Sequence, residues 1–264
     1  MKYLLSVLAT LVGAVTSASA QSWAAARVQK SPRHLEWITV SHDQREVKCL
    51  IGFPERKDKA PAVLVIHEIF GHTDWIQSVV DQLAEAGYIA IAPDLLSGMA
   101  PHGGGSTELG ARVTKVINTI PTAQLNADLD AAAAYVLKEP SCNGKLAVMG
   151  FCWGGGKTFA YATHNPKIAA ALVFYGPAPQ ADEMAKITAP IYGFYGGNDA
   201  RISAAVPTVT EQMKAAGKTY EPVVYAGAGH GFMRAGEDPE NKNPANKTAH
   251  DQAWQRVKKI LGQL

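Results

Sequence analysis

Polar residues able to do chemistry stand at the ends of five separate apolar runs. His67 and Glu68 close AVLVIH, Asp94 follows YIAIAP, Cys152 follows LAVMGF, Asp199 follows IYGFYGGN, and His230 follows EPVVYAGAG. A thiol, carboxylates and an imidazole are the parts of nucleophilic acyl transfer. The imidazole takes the proton of the nucleophile, and a carboxylate orients the imidazole. Cys152, Asp199 and His230 come in the chain order nucleophile, acid, histidine, one of the known orders for such a triad. Of the two histidines that end strand-like runs, only His230 lies beyond Asp199. Asp94 precedes the nucleophile and reads as the anchor of its own turn.

The segment around the thiol carries the strongest local signal. Lys145–Gly156 reads KLAVMGFCWGGG: a short apolar strand, an abrupt turn, then a run suited to a helix. Gly150 and Gly154 lie two residues either side of Cys152, the nucleophile-elbow spacing with cysteine in the place of serine. Such a turn is strained and brings strand and helix backbones too close for a Cβ. It also sets the sulfur at a helix N-terminus, where backbone N–H groups favour negative charge. On this stretch alone, a buried structural cysteine in a glycine-rich turn fits equally well.

These residues need a scaffold, and the rest of the chain supplies one. Leu35–Val40 and Glu46–Phe53 alternate as an antiparallel hairpin. Ala62–His67, Tyr88–Ala92, Leu146–Gly150, Ile168–Tyr175, Ala189–Tyr195 and Tyr220–Tyr225 read as further strands. Ala62–His67 is a continuous apolar run, typical of a parallel strand covered on both faces, and Tyr88–Ala92 is another buried strand. Helical stretches alternate with them: Asp74–Ala86, Thr107–Leu137 with a break at Pro121, Ala204–Ala216 and Ala245–Leu261. The expected architecture is α/β with a mostly parallel central sheet and helices on both faces. In such sheets, function gathers at the carboxyl ends of the strands.

Residues 1–20 carry a basic Lys2, an apolar core from Leu4 to Val15, and Ala18-Ser19-Ala20, the three parts of a cleavable signal peptide. The expectation is export to the periplasm or the medium, followed by an N-terminal arm at 21–34, ill-ordered, and one domain at 35–264. With 25 basic and 23 acidic residues, nothing favours nucleic acid, nor a membrane once the leader is gone. The three cysteines are Cys49, Cys142 and Cys152. Pairing of Cys49 with Cys142 is not expected, because their strands should not be neighbours. No cofactor motif stands out. His67 to His72 is one residue longer than the H-E-x-x-H zinc pattern and leaves a strand rather than lying on a helix, so no metal site is assigned. Gly154–Gly156 with Lys157-Thr158 lacks the spaced first glycine of a phosphate loop.

Taken together, HEIFGHTDWI, PDL, GFCWGG, GGNDARI and GHGF resemble the dienelactone hydrolase family, a cysteine branch of the α/β-hydrolase fold. The likeness extends from about Leu35 to Leu261. It implies hydrolysis of a small-molecule ester or enol lactone through Cys152, His230 and Asp199. It further implies that Glu68 is an extra carboxylate beside the thiol and that the backbone N–H groups of Ile69 and Trp153 form the oxyanion hole. Arg234 then matches one of two arginines that hold a substrate carboxylate. The second should follow Pro93-Asp94-Leu95, where this chain has Leu96-Ser97-Gly98. A neutral resting thiol turned toward Glu68 is the expected ground state, since a like charge disfavours a second anion. The alternatives are a thioesterase or general carboxylesterase using the same residues, or a binding or redox-sensing protein.

Overall fold

The computed structural model describes residues 21–264, so the leader expected at 1–20 lies outside the described residues. The apolar runs become eight strands: β1 (Leu35–His42), β2 (Arg45–Gly52), β3 (Ala60–Ile66), β4 (Ile89–Pro93), β5 (Cys142–Phe151), β6 (Ala170–Phe174), β7 (Ile191–Gly196) and β8 (Tyr220–Tyr225). They form one sheet in the order β1-β2-β4-β3-β5-β6-β7-β8. β2 is antiparallel to both its neighbours, and every pairing from β4 to β8 is parallel. The expected α/β-hydrolase architecture is therefore the observed one.

Alternation between two buried faces explains why central strands such as β3, β4 and β6 are apolar without a break. Ala62, Leu64 and Ile66 of β3 pack into one core with Leu129 and Ala133 of the helix Thr122–Leu137. Val63 and Val65 of the same strand face the other core, with Ile76, Val80 and Leu83 of the helix Asp74–Glu85 and Val257 of the helix Pro244–Leu261. Each valine, leucine or isoleucine side chain so buried stabilises by about 1.5–3 kcal/mol. Register then lines up the strand ends. Ile66 pairs with Gly150, Phe151 with Phe174, and Gly196 with Tyr225. The residues following β3, β5, β6, β7 and β8 thus emerge along one edge of the sheet.

Three differences from the sequence reading have plain causes. The stretch 21–34 is not a loose arm. It contains the helix Ser22–Gln29, and Arg27 and Arg33 reach the buried carboxylate of Asp81 at 2.9 and 2.7 Å. Burial pushes Asp81 up, but the hydrogen bonds from Arg33 and Ser31 prevail and hold it below its usual value. The break expected at Pro121 is present, with the regular helix beginning at Thr122, but the stretch before it is a series of short helical turns rather than one helix. A helix at Phe232–Glu237 follows the last strand loop where none was read. Cys49 on β2 and Cys142 on β5 are buried and unpaired, with β4 and β3 between their strands. Among the described residues, no helix is long and apolar enough to cross a membrane.

Candidate active site

The turn after β5 shows why glycine flanks the thiol. Cys152 has φ 57° and ψ −116°, a conformation that costs about 1–3 kcal/mol for a residue with a side chain. It is the N-cap of the helix Trp153–His164, and its N–H donates to Phe174 O at 3.0 Å. A Cβ on Gly154 would lie 2.3 Å from the carbonyl oxygens of both Ile66 and His67. A Cβ on Gly150 would lie 2.3 Å from Gly154 O. The first turn of the helix therefore sits directly on the end of β3, and the sulfur is raised at the sheet edge, half-buried.

The loop after β8 brings the imidazole to the sulfur. Asn246 Oδ1 accepts from Gly229 N at 2.9 Å, and Gly231 turns with φ 72°. His230 Nε2 lies 3.1 Å from Cys152 Sγ, and His230 Nδ1 lies 2.5 Å from Asp199 Oδ2. Asp199 is buried at the N-cap of the short helix after β7. The hydrogen bond with Cys152, more than that with Asp199, raises His230 above the usual histidine value, against the opposing effect of burial. Three side chains from three strand ends thus form one hydrogen-bonded line, as their order in the chain suggests.

Glu68 and Arg234 sit differently from the sequence expectation. Glu68 is 2 % exposed, and its Oε2 accepts from Arg234 Nε at 2.8 Å. The thiol's partner is His230, not Glu68. A buried carboxylate gains more from a guanidinium than from a weak S–H donor. Burial still pushes Glu68 above the usual carboxylate range, with Arg234 and His230 pulling it back. Arg234, read as a substrate contact, is bonded to protein, and its guanidinium also lies 5.4 Å from the centre of the Phe70 ring. No stand-in occupies the Leu96–Gly98 turn. Arg45 reaches the carbonyls of Leu95 and Ser97 but is paired with Asp128.

The N–H groups of Ile69 and Trp153 have no acceptor among the described residues. Asp94 anchors its turn, accepting from Leu96 N, Ser106 N and Ser106 Oγ. His72 hydrogen-bonds Ala92 O through Nε2. His67 is engaged at both ring nitrogens. A cavity of about 310 Å³ lined by Pro177, Tyr195, Arg201 and Tyr220 contains none of Cys152, His230 and Glu68.

Tyr175 was missed in the sequence. It follows β6 at φ 39°, packs edge-on against His230 at 5.1 Å, and buries a hydroxyl with no partner among the described residues. Its position at the end of AALVF was a usable signal, but a tyrosine after a strand carries no motif.

The model of the dienelactone hydrolase family matches residues 47–264. A provisionally named carboxymethylenebutenolidase of Methylorubrum extorquens is 38% identical over 195 residues, covering 69% of this chain and 66% of that protein. One of Yersinia pestis, named in the same way, is 32% identical over 238 residues, covering 85% of this chain and 86% of its own. The crystal structure of a provisionally named dienelactone hydrolase from Klebsiella pneumoniae superposes with a TM-score of 0.75 at 30% identity, over 88% of this chain and 99% of that one.

Proposed function

Since this chain belongs to the dienelactone hydrolase family and is a hydrolase of that kind, we propose that it cleaves a small ester or enol lactone with Cys152 as nucleophile. The observation that carries the reading is the line Sγ–Nε2 at 3.1 Å and Nδ1–Oδ2 at 2.5 Å. In this mechanism the thiol proton passes to His230 Nε2 as sulfur bonds to the carbonyl carbon. The carbonyl oxygen takes up negative charge against the N–H groups of Ile69 and Trp153, where one such donor is worth roughly 3–4 kcal/mol. The C–O bond then breaks, and Nε2–H protonates the departing alkoxide. Water hydrolyses the thioester with its proton going to Nε2, and that proton returns to sulfur as the acid product leaves. Asp199 keeps Nδ1–H pointed at itself and steadies the cation that forms.

A thiolate leaves readily, so the mechanism suits activated esters, enol lactones and thioesters better than amides. The pairing of Arg234 with Glu68 favours a second reading, a general carboxylesterase or thioesterase for uncharged acyl groups. The three-part pattern of residues 1–20 supports export, to the periplasm or the medium, as part of the proposal. Turnover of p-nitrophenyl acetate and of a dienelactone by the purified protein, and its loss in Cys152→Ala, tests the reading. Undiminished turnover in that variant would refute it.

A further inference from the structure

The mechanism above leaves His67 unused, yet it is fully buried at the end of β3 with both ring nitrogens engaged. Leu95 N–H points at Nε2 at 3.3 Å, so Nε2 is the acceptor and the neutral ring carries its proton on Nδ1. Nδ1–H therefore donates to Glu68 O, at 2.9 Å. Burial lowers the imidazole's affinity for a second proton, in keeping with that tautomer.

Glu68 O also accepts from Gly71 N–H at 3.1 Å. That carbonyl belongs to the same peptide group as Ile69 N–H, and in a planar trans peptide the two point in opposite directions. Two donors on the oxygen thus fix where the unengaged N–H points. The same ring lies flat against Trp153, with centroids 5.7 Å apart and planes 12° from parallel. Trp153 contributes the other unengaged N–H. Beneath both, Gly154 rests on the carbonyls of Ile66 and His67 with no room for a Cβ.

We propose that His67 is a positioning residue for acyl transfer: one imidazole, bonded to the 68–69 peptide and stacked on Trp153, sets the relative aim of the two backbone N–H donors. The inference rests on the hydrolase reading above. It predicts a loss in turnover rather than in substrate binding, because the donors serve charge that develops in the transition state.

Three variants test it, with p-nitrophenyl acetate as substrate and iodoacetamide alkylation of Cys152 as a reaction that needs no oxyanion donors. His67→Phe keeps a ring over Trp153 but loses both hydrogen bonds. Its kcat should fall about 10- to 100-fold, part of the roughly 10²–10³-fold cost of removing a donor outright, with KM and alkylation rate each within about twofold. His67→Gln retains one donor and one acceptor and should recover most of that loss. His67→Asn, too short to span Glu68 O and Leu95 N, should behave as His67→Phe and replaces it if that variant is insoluble. Unchanged kcat in His67→Phe and His67→Asn overturns the proposal, as does alkylation that falls in step with turnover. Turnover that survives Cys152→Ala would instead overturn the hydrolase reading itself.

Discussion

Arg234 donates its Nε–H to the buried Glu68 carboxylate at 2.8 Å, so these two charges, one just after β3 and one on the helix Phe232–Glu237, stabilise one another. Removing one leaves the other buried without its partner, which typically costs 3–5 kcal/mol. Arg234→Met orphans the buried Glu68, whose carboxyl burial already pushes toward protonation, so part of that penalty is relieved and the cost should be nearer 2–3 kcal/mol, read from thermal or urea unfolding. The loss should be largest at neutral and alkaline pH. It should shrink as pH falls and Glu68, already pushed up by burial, takes a proton and becomes neutral. Adding Glu68→Gln should restore part of the lost stability, and a double-mutant cycle measures how much. Purely additive losses would show that the pair contributes nothing as a pair.

Cys152 and Asp199 together raise His230, and a general base must be unprotonated to act. On the proposed mechanism kcat/KM rises with pH along a limb centred above the usual histidine value. Asp199→Asn removes a contribution that raises the imidazole, so the limb should move to lower pH. The plateau should fall by about 10²–10⁴. A limb left in place by the substitution would mean that Asp199 does not act on His230 in solution.

The strain at Cys152 predicts opposite outcomes for two neighbouring substitutions. Cys152→Gly relieves a φ of 57° and should stabilise the fold by about 1 kcal/mol, some 2–4 °C in Tm, while abolishing turnover. Gly154→Ala drives a Cβ toward two backbone carbonyls at 2.3 Å and should cost about 3 kcal/mol or more, since backbone cannot give way as a side chain can. Differential scanning calorimetry of both variants checks the pair of signs. Equal destabilisation would remove strain from the description of the turn.

What could be read from the sequence followed from local pattern. Fully buried parallel strands print as unbroken apolar runs, so β3 to β7 and the strand ends bearing Cys152, Asp199 and His230 were legible at the residue level. Gly150 and Gly154 were legible because glycines spaced evenly about a thiol, between a strand and a helix, mark a turn with no room for a Cβ. The partners of Glu68 and Arg234 were not. They are 166 residues apart, and nothing in either local sequence says that the guanidinium turns to a carboxylate rather than to a ligand. The helix at Phe232–Glu237 escaped because its six residues, FMRAGE, are too few to show a period. His67 looked like half of a metal motif, and only the directions of its two hydrogen bonds reveal a structural anchor.

Substrate charge is the point at which the departure near Gly98 becomes measurable. A carboxylate held by two free guanidinium groups is favoured strongly over a neutral group of the same shape, because each charge-assisted hydrogen bond is worth about 1.5–3 kcal/mol. Here Leu96, Ser97 and Gly98 supply no cation, Arg45 is bound to Asp128, and Arg234 is bound to Glu68. A matched pair of esters, one bearing a carboxylate and one a methyl group in its place, should therefore be hydrolysed with kcat/KM values within about tenfold of each other. If Arg234 instead leaves Glu68 for the ligand, the anionic ester should win by a hundredfold or more, and Arg234→Met should remove that preference while leaving the neutral ester's KM unchanged. Steady-state kinetics on the two esters, with wild type and Arg234→Met, separates the cases.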